Sequence, residues 1–150
     1  MADAMVRCPP DMNPERTLIL VKPDGVQRGL VGEVIRRFEA RGLRLAALRL
    51  LNAPRNLVEV HYEEHREKPF FASVVEYLCS GPVVAMAIEG ENAVKVCRGM
   101  MGATNAAEAA PGTIRGDFAL NVEKNIVHGS ADPEAAAREL SIWFSEADFV

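Results

Sequence analysis

The chain has 150 residues, of which 49% are hydrophobic and 25% are charged, and its formal net charge is -4 at pH 7. This length and composition suit one globular domain with its own core, and the acidic balance excludes broad, nonspecific binding to nucleic acid. No stretch approaches the ~20 apolar residues of a membrane span, and the N-terminal segment lacks the apolar run of a signal peptide. Because the three cysteines form no C-x-x-C pair, we expect a cytoplasmic protein without membrane association.

The order of apolar and turn-forming residues predicts alternating strands and helices after a polar leader. Residues 1–14 contain three of the nine prolines and show no periodicity, so we expect a flexible N-terminal leader before one domain over residues 15–150. Apolar runs and alternation predict strands at 17–21, 43–51, 82–89 and 125–128. Helical spacing predicts helices that begin at 31, 54, 69, 94 and 132, and turn chemistry predicts a turn at 22–25.

The predicted order is β-α-β-α-α-β-α-loop-β-α. Without the additional helical segments it reduces to β-α-β-β-α-β, which is the ferredoxin-like plan of an α+β protein. We therefore expect an antiparallel four-stranded sheet covered by helices on one face. Residues 103–124 show little periodicity, and a stretch of this length inside a compact domain is expected to be one long functional loop.

Glu139 is predicted to lie on the apolar side of the last helix. Apolar residues stand at i-4, i-3, i+3 and i+4 from it, which are Ala135, Ala136, Ile142 and Trp143. A carboxylate on this face needs a polar partner, and His128 lies just before the helix in a Gly- and Ser-bearing turn. A neutral imidazole that is held in place is a competent nucleophile near neutral pH. The pair is thus a candidate catalytic site, although most His–Glu pairs are structural.

The long loop carries polar groups that suit a phosphate chain. Arg98, Thr104, Arg115 and Asn125 lie in or beside it, together with four glycines that permit tight turns. Two guanidinium groups and a hydroxyl can bind phosphate oxygens in a bidentate manner, although most arginines on loops are simply solvated. The chain contains neither the P-loop pattern nor the protein-kinase motifs.

A competing pattern is H-x-x-E-H, formed by His61, Glu64 and His65. It matches the helix of some zinc peptidases, and histidines at i and i+4 share a helical face. The pattern fixes only three positions and needs a third ligand and a cleft. We therefore expect a solvated helix here rather than a zinc site.

Together these residues stand in segments that closely resemble the nucleoside diphosphate kinases, from about Glu15 to Phe144. The segments occur in the family's order, and no single one carries the assignment. They are Arg16–Val26, Arg66–Phe71, Ser80–Val84, Gly102–Asn105, Pro111–Phe118 and Asn125–Ser130.

The resemblance implies a role for each of ten residues. His128 would carry the phosphoryl group, Glu139 would bond the imidazole nitrogen that does not attack, and Tyr62 would lie beside the ring. The implied nucleotide contacts are Arg98, Thr104 and Arg115 at the phosphates, Lys22 and Asn125 at the sugar hydroxyls, and Phe70 and Val122 on either side of the base. Lys22 would also approach the phosphates and assist catalysis. Contact by stacking implies weak discrimination among bases.

The resemblance also implies the reaction and the partners. A nucleoside triphosphate would donate its terminal phosphoryl group to the histidine, and a nucleoside diphosphate would collect it in a ping-pong cycle. The implied cofactor is Mg²⁺, held mainly by nucleotide phosphates rather than by a protein metal site. We expect a homo-oligomer, either tetramer or hexamer, that requires no nucleic acid and no membrane.

A second hypothesis keeps the fold but not the activity, as a regulatory protein that binds nucleotides or nucleic acid. The presence of both His128 and Glu139 disfavours it, because a binding protein does not need the pair. Two positions depart from the family pattern. Ala131 replaces the acid usually found after His-Gly-Ser, which leaves Asp132 to cap the last helix, and Ala106 stands where proline is common.

Overall fold

The computed structural model describes residues 14–150, so the predicted leader lies outside the described residues apart from Pro14. In this range four strands form one sheet: β1 (Glu15–Val21), β2 (Arg44–Leu51), β3 (Val83–Gly90) and β4 (Val127–Gly129). Seven α-helices lie in the same range: α1 (Pro23–Gln27), α2 (Val31–Ala40), α3 (Arg55–His61), α4 (Phe71–Leu78), α5 (Ala93–Met101), α6 (Ile114–Phe118) and α7 (Pro133–Trp143). Short 3-10 turns occupy Glu63–His65, Ala106–Glu108 and Glu146–Asp148.

The sheet has the strand order β2-β3-β1-β4, and each neighbouring pair is antiparallel. The α+β, ferredoxin-like prediction is therefore confirmed. In the β1–β4 pair Leu20 lies opposite His128. Since β1 is paired on both edges, the short strand β4 is fixed against the most buried part of the sheet.

Helices cover both faces of the sheet, not the one face that was predicted. Ile19 and Val21 of β1 pack into a core with α2 and α5, while Leu18 and Leu20 pack into a second core with α3, α4 and α7. Successive side chains of a strand point to opposite faces, so a strand buried on both faces carries an uninterrupted apolar run. The run from Leu18 to Val21 is the sequence signal of this two-sided burial.

Two short helices stand where the sequence predicted a turn and a loop. Residues 23–27 form α1, whose Asp24 is held by tertiary contacts rather than by an apolar stripe. Residues 114–118 form α6 within the long loop, capped by Thr113 Oγ1, which accepts the Gly116 N–H at 3.0 Å. A helix of five residues is too short to produce a periodic pattern.

The last strand begins at Val127 rather than at Asn125. Ile126 has a φ of 73°, in the left-handed region that a strand cannot adopt. The chain therefore turns at Ile126 before it pairs with β1. None of the helices in residues 14–150 has the length and apolar character that crossing a bilayer requires.

Candidate active site

A cavity of about 470 Å³ lies where the end of β1, the α3 segment, the long loop, β4 and α7 meet. Nine of the ten predicted site residues line it: Lys22, Tyr62, Arg98, Thr104, Arg115, Val122, Asn125, His128 and Glu139. The tenth, Phe70, is not among the lining residues. Its ring lies 5.5 Å, centre to centre, from that of His65, which does line the cavity.

His128 and Glu139 are in direct contact, as the sequence predicted. His128 lies in the middle of β4, and its Nε2 is 2.9 Å from Oε1 of the buried Glu139. A carboxylate can only accept hydrogen bonds, so the contact assigns the ring proton to Nε2. Nδ1 of His128 then carries a free lone pair. Among residues 14–150 no protein group forms a hydrogen bond with it.

The same carboxylate oxygen has a second donor. Ser130 Oγ donates to Glu139 Oε1 at 3.1 Å and accepts the Leu18 N–H at 3.3 Å. Ser130 is fully buried. Glu139 is thus held from the sheet by Ser130 while it holds the ring of His128.

His61 is the functional-site residue that the sequence analysis did not identify. It is buried at the end of α3, and its ring centre lies 4.8 Å from that of His128. Trp143 Nε1 donates to His61 Nδ1 at 3.0 Å. Because the indole nitrogen can only donate, Nδ1 must be the unprotonated nitrogen and Nε2 must carry the proton. Burial, with the charges of His128 and Arg138 as smaller causes, lowers the pKa of His61 well below its ordinary value, so this ring is neutral.

The tautomer of His61 decides whether the cluster can hold a metal ion. Donor atoms of His61, His128 and Glu139 all lie within 4.8 Å of one another, the spacing of a metal site. His61 Nε2, however, lies 4.0 Å from Glu139 Oε1 and bears a proton, so it has no lone pair for a metal. The H-x-x-E-H segment is not the solvated helix that was expected, since His61 is buried, and among residues 14–150 His65 belongs to no such cluster.

Tyr62 follows α3 and faces the two histidines. Its ring centre lies 4.6 Å from that of His61 and 6.4 Å from that of His128. Burial, and secondarily the negative charge of Glu139, raises the pKa of the phenol above its ordinary value. Tyr62 therefore remains protonated and is a neutral donor beside His128.

On the opposite wall, Lys22 and Asn125 are hydrogen-bonded to each other. Lys22 Nζ donates to Asn125 Oδ1 at 2.7 Å, and Asn125 Nδ2 donates to the Thr104 carbonyl at 2.9 Å. Burial, and secondarily the charge of Arg115, lowers the pKa of Lys22 to about 8. A lysine with this pKa is charged at neutral pH but loses its charge under mildly alkaline conditions.

Arg115 differs from a simple surface phosphate-binding residue because it is buried and already holds the backbone. Its guanidinium donates to the carbonyls of Gly102 at 2.9 Å, Val127 at 2.7 Å and Asn125 at 3.4 Å. Five N–H groups are available on a guanidinium, so two remain for a ligand. Burial, with the nearby charge of Arg98 as a smaller cause, lowers the pKa of Arg115 to about 10, and the group stays cationic at neutral pH.

Arg98 adds a second cation to the same wall, where its Nη1 donates to the Gly129 carbonyl at 3.1 Å. Arg98 thereby ties α5 to the end of β4, and Arg115 ties the long loop to its start. The side chains predicted to stack on a base are exposed, Phe70 by 47% and Val122 by 51%.

Comparisons with known proteins agree with this site. The family model for nucleoside diphosphate kinase matches residues 15–149. A nucleoside diphosphate kinase of Archaeoglobus fulgidus is 60% identical over 136 residues, which cover 91% of this chain and 90% of the relative. A second, from Picosynechococcus, is 57% identical over 134 residues, which cover 89% of this chain and 90% of the relative.

Solved structures of the family superpose closely on the chain. A nucleoside diphosphate kinase family protein from Babesia bovis has a TM-score of 0.89 and 48% identity, with 91% of this chain and 92% of the other covered. A halophilic nucleoside diphosphate kinase from Halobacterium salinarum, solved in complex with CDP, has a TM-score of 0.89 and 45% identity, with 91% of each chain covered. The chain therefore belongs to the nucleoside diphosphate kinase family, the phosphotransferases that move the terminal phosphoryl group of a nucleoside triphosphate to a nucleoside diphosphate.

Proposed function

We propose that His128 is the residue on which this enzyme carries the phosphoryl group between two nucleotides. The observation that supports the proposal best is the 2.9 Å contact of His128 Nε2 with Glu139. This contact leaves the lone pair of Nδ1 on a ring that lines a cavity with four cationic side chains, those of Lys22, Arg98, Arg115 and Arg138. A nucleophile beside several cations is the arrangement that attack on a phosphate chain requires.

The proposed cycle consists of two balanced transfers. His128 Nδ1 forms a bond to the terminal phosphorus of a triphosphate while the bond from that phosphorus to the bridging oxygen breaks. The diphosphate leaves with that oxygen and its electron pair. A terminal oxygen of a second diphosphate then attacks the phosphohistidine, and the Nδ1–P bond breaks in the reverse sense.

Glu139 acts on the ring and not on the phosphate. As Nδ1 forms its fourth bond, the imidazole gains positive charge, which the carboxylate at Nε2 stabilises. Tyr62, kept neutral by burial, is proposed as a donor to the transferring group. Lys22, Arg98 and Arg115 neutralise the charge that moves between oxygens.

The remaining predicted residues are proposed to hold the nucleotide. Thr104 contributes a hydroxyl at the phosphates, and Asn125 contacts the sugar hydroxyls with Lys22. Phe70 and Val122 are proposed to contact the two faces of the base. Neither side chain reads hydrogen-bond donors or acceptors, so we expect weak discrimination among bases.

We infer that Mg²⁺ is the divalent ion that the reaction needs. The wall around Lys22, Arg98 and Arg115 is cationic, and the lining carboxylates Glu64, Asp132 and Glu134 belong to no metal-binding cluster within residues 14–150. This donor set fits an ion held by the nucleotide's own phosphate oxygens, so no residue is assigned as a metal ligand. When bound there, Mg²⁺ supplies charge neutralisation on the phosphates. Chelation with EDTA is expected to abolish transfer, and added Mg²⁺ to restore it.

Transfer of phosphate from ATP to another diphosphate by the purified chain tests the activity directly. Incubation with labelled triphosphate alone is expected to leave an acid-labile, alkali-stable label on His128, as a phosphoramidate does. Ser130 is the alternative acceptor, but it is buried and bonded at its hydroxyl. His128→Ala should remove both label and transfer, whereas Ser130→Ala should only slow them. If His128→Ala kept near-normal transfer, or if the chain bound nucleotides without transferring phosphate, the proposal would be wrong.

We also propose that the protein is a homo-oligomer, a tetramer or a hexamer. In the described sheet β2 is an edge strand, met by the Val150 N–H at the Ala46 carbonyl, and it exposes Leu48 by 50% and Leu50 by 69%. An edge strand with exposed leucines favours association with another chain. A stable monomer in light scattering at working concentration would contradict this.

We further infer a cytoplasmic location. The free thiols of Cys79 and Cys97 suit a reducing compartment, where nucleoside triphosphates are available. Fractionation of cells that produce the protein would test the location.

A further inference from the structure

Ile126, two residues before His128, has a backbone conformation that its side chain disfavours. Its φ is 73°, in the left-handed region, and its side chain is fully buried. For a β-branched residue this conformation is a genuine outlier, and it persists only where the surroundings impose it. Something in the structure must therefore hold Ile126.

Its peptide groups are held from α1 and from the residue that precedes α1. Asp24 Oδ2 accepts the Ile126 N–H at 3.0 Å, and the Lys22 N–H donates to the Ile126 carbonyl at 2.8 Å. Asp24 is 8% exposed, so its contact is shielded from water. A Cβ on Gly25 would lie 2.7 Å from Val21 Cγ1 and 3.0 Å from Ile126 Cγ2, so the packing here leaves no room for a side chain.

Asp24 is in turn held by Tyr77 of α4. The Tyr77 hydroxyl donates to Asp24 Oδ1 and accepts the Asp24 backbone N–H at 3.1 Å. Burial, and secondarily the hydrogen bond to Asp24, raises the pKa of this phenol above its ordinary value. The hydroxyl therefore stays protonated and keeps its donor role. Both carboxylate oxygens of Asp24 therefore accept a hydrogen bond, one from the Ile126 N–H and one from the Tyr77 hydroxyl of α4.

The residues on either side of Ile126 are those proposed to act on the nucleotide. Asn125 precedes it and is bonded to Lys22 Nζ, and His128 follows two residues later. Among residues 14–150, no hydrogen bond joins Asp24 or Tyr77 directly to His128. The hydrogen-bonded route from Asp24 towards His128 runs through the backbone at Ile126.

We propose that Asp24 and Tyr77 are positioning residues for phosphoryl transfer, which hold Ile126 in its left-handed conformation and thereby set the placement of Asn125 and His128. The proposal rests on the proposed role of His128 as the phosphoryl carrier. Reactivity falls steeply when a reacting atom is misplaced, by up to about 100-fold for 1 Å. Loosening the Asp24–Tyr77 contact should therefore slow reaction at His128 although neither residue lines the cavity.

The test compares Tyr77→Phe, Asp24→Ala and Asp24→Asn with Glu89→Gln in the full chain. Glu89 is the matched control, since it is also a buried carboxylate held by side-chain donors, from Arg16 and Arg44, but is remote from the cavity. The readout is the rate at which His128 is labelled by phosphoramidate, a donor without a nucleotide. Its N–P bond breaks, ammonia leaves, and the new N–P bond forms at Nδ1. Unfolding midpoints and the folded fraction are measured in parallel.

Tyr77→Phe should lower the labelling rate per folded molecule about 10-fold and Asp24→Ala about 100-fold. Asp24→Asn should stay within about 3-fold of the unaltered chain, because its amide oxygen can still accept the Ile126 N–H. Glu89→Gln should lower the unfolding midpoint and leave labelling unchanged. If Tyr77→Phe and Asp24→Ala lose stability but label at the unaltered rate, the two residues are only structural and the proposal is overturned. If the unaltered chain is not labelled on His128, the proposed function fails instead.

Discussion

The two ends of the cavity are built in opposite ways. At the nucleophile corner, which comprises His61, His128, Ser130, Glu139 and Trp143, the side chains are largely buried and hydrogen-bonded to one another. At the nucleotide mouth, which comprises Phe70, Thr104 and Val122, the side chains are exposed. Under the proposed function, the side chains that act on the phosphoryl group are positioned before a substrate arrives, whereas the contacts to the base form only when the substrate binds.

Among changes at the two ends that keep His128, the largest effect is expected at the nucleophile corner, from Glu139→Gln. An amide can present its NH₂ group to His128 Nε2, which would place the ring proton on Nδ1 and remove the attacking lone pair. We expect transfer to fall about 100-fold, with the histidine still labelled slowly. Single-turnover labelling by a triphosphate measures this.

Ser130→Ala is the control for Glu139→Gln. It removes one donor from the same carboxylate oxygen without offering His128 a new donor, so its loss should be about 10-fold or less. A Glu139→Gln enzyme within 3-fold of the unaltered rate would show that the tautomer of His128 is not set by this carboxylate.

At the nucleotide mouth, Phe70→Ala should raise KM about 10-fold for every base, since stacking contributes on the order of 1–3 kcal/mol and every base offers a π-face. Leu120→Ala is the matched control, because Leu120 is more exposed still, at 85%, and has no proposed contact with the nucleotide. Steady-state kinetics with adenine, guanine, cytosine and uracil diphosphates measure the effect. A rise confined to one base would indicate a specific contact instead.

Lys22 lies between the two ends and is expected to give the pH dependence. Its pKa is lowered to about 8, so the ammonium charge is present at pH 7 and is lost as the pH rises through about 8. The affinity for phosphates should fall as this charge is lost. KM for a diphosphate should therefore rise about 5-fold between pH 7 and 9. In Lys22→Arg the cation persists, so its KM should be flat over this range. A parallel rise in both enzymes would assign the pH effect to another group.

The smallest effect concerns His61, whose ring is expected not to titrate. Since burial lowers its pKa well below the ordinary value, the ring should keep its Nε2–H tautomer from pH 8 to below 6, visible in ¹⁵N chemical shifts. The unfolded chain takes up this proton near pH 6.5 and the folded chain does not, so His61 should also make the free energy of unfolding decrease as the pH falls below about 6.5. In Trp143→Phe the ring stays buried but Nδ1 loses its donor, so the ring should remain neutral while the Nδ1–H tautomer becomes populated. A titrating His61 in the unaltered chain would contradict the assigned tautomer.

The sequence predicted those features of the fold and site that depend on local spacing. The buried position of Glu139 follows from its neighbours along one helix, and the contact with His128 follows from their short separation in the chain. Capping of α7 by Asp132, whose Oδ1 accepts the Ala135 N–H at 2.7 Å, is also confirmed. Each of these features could be predicted because the residues in contact lie close together in the sequence.

The features that were missed join distant parts of the chain. The tautomer of His61 is set by Trp143, 82 residues away, and Asp24 holds Ile126 across 102 residues. No periodicity encodes such pairs, so His61 was visible only as part of a metal-binding pattern. The two-sided sheet was different, since the apolar run of β1 was a usable signal. Helices were nevertheless predicted on one face only, because the prediction followed the ferredoxin-like plan.

The cap of α6 includes Gly116, and the space around this glycine limits how the long loop can vary among related sequences. A Cβ on Gly116 would lie 1.9 Å from the Ala110 carbonyl oxygen, a backbone atom that cannot rotate away. On Gly129 it would instead meet the end of Met101 at 2.7 Å, and a methionine can adopt another rotamer. In a selection for active variants, alanine should therefore be lost at Gly116 and survive at Gly129. This stretch of the loop can then change by insertion around Gly116 more readily than by substitution at it.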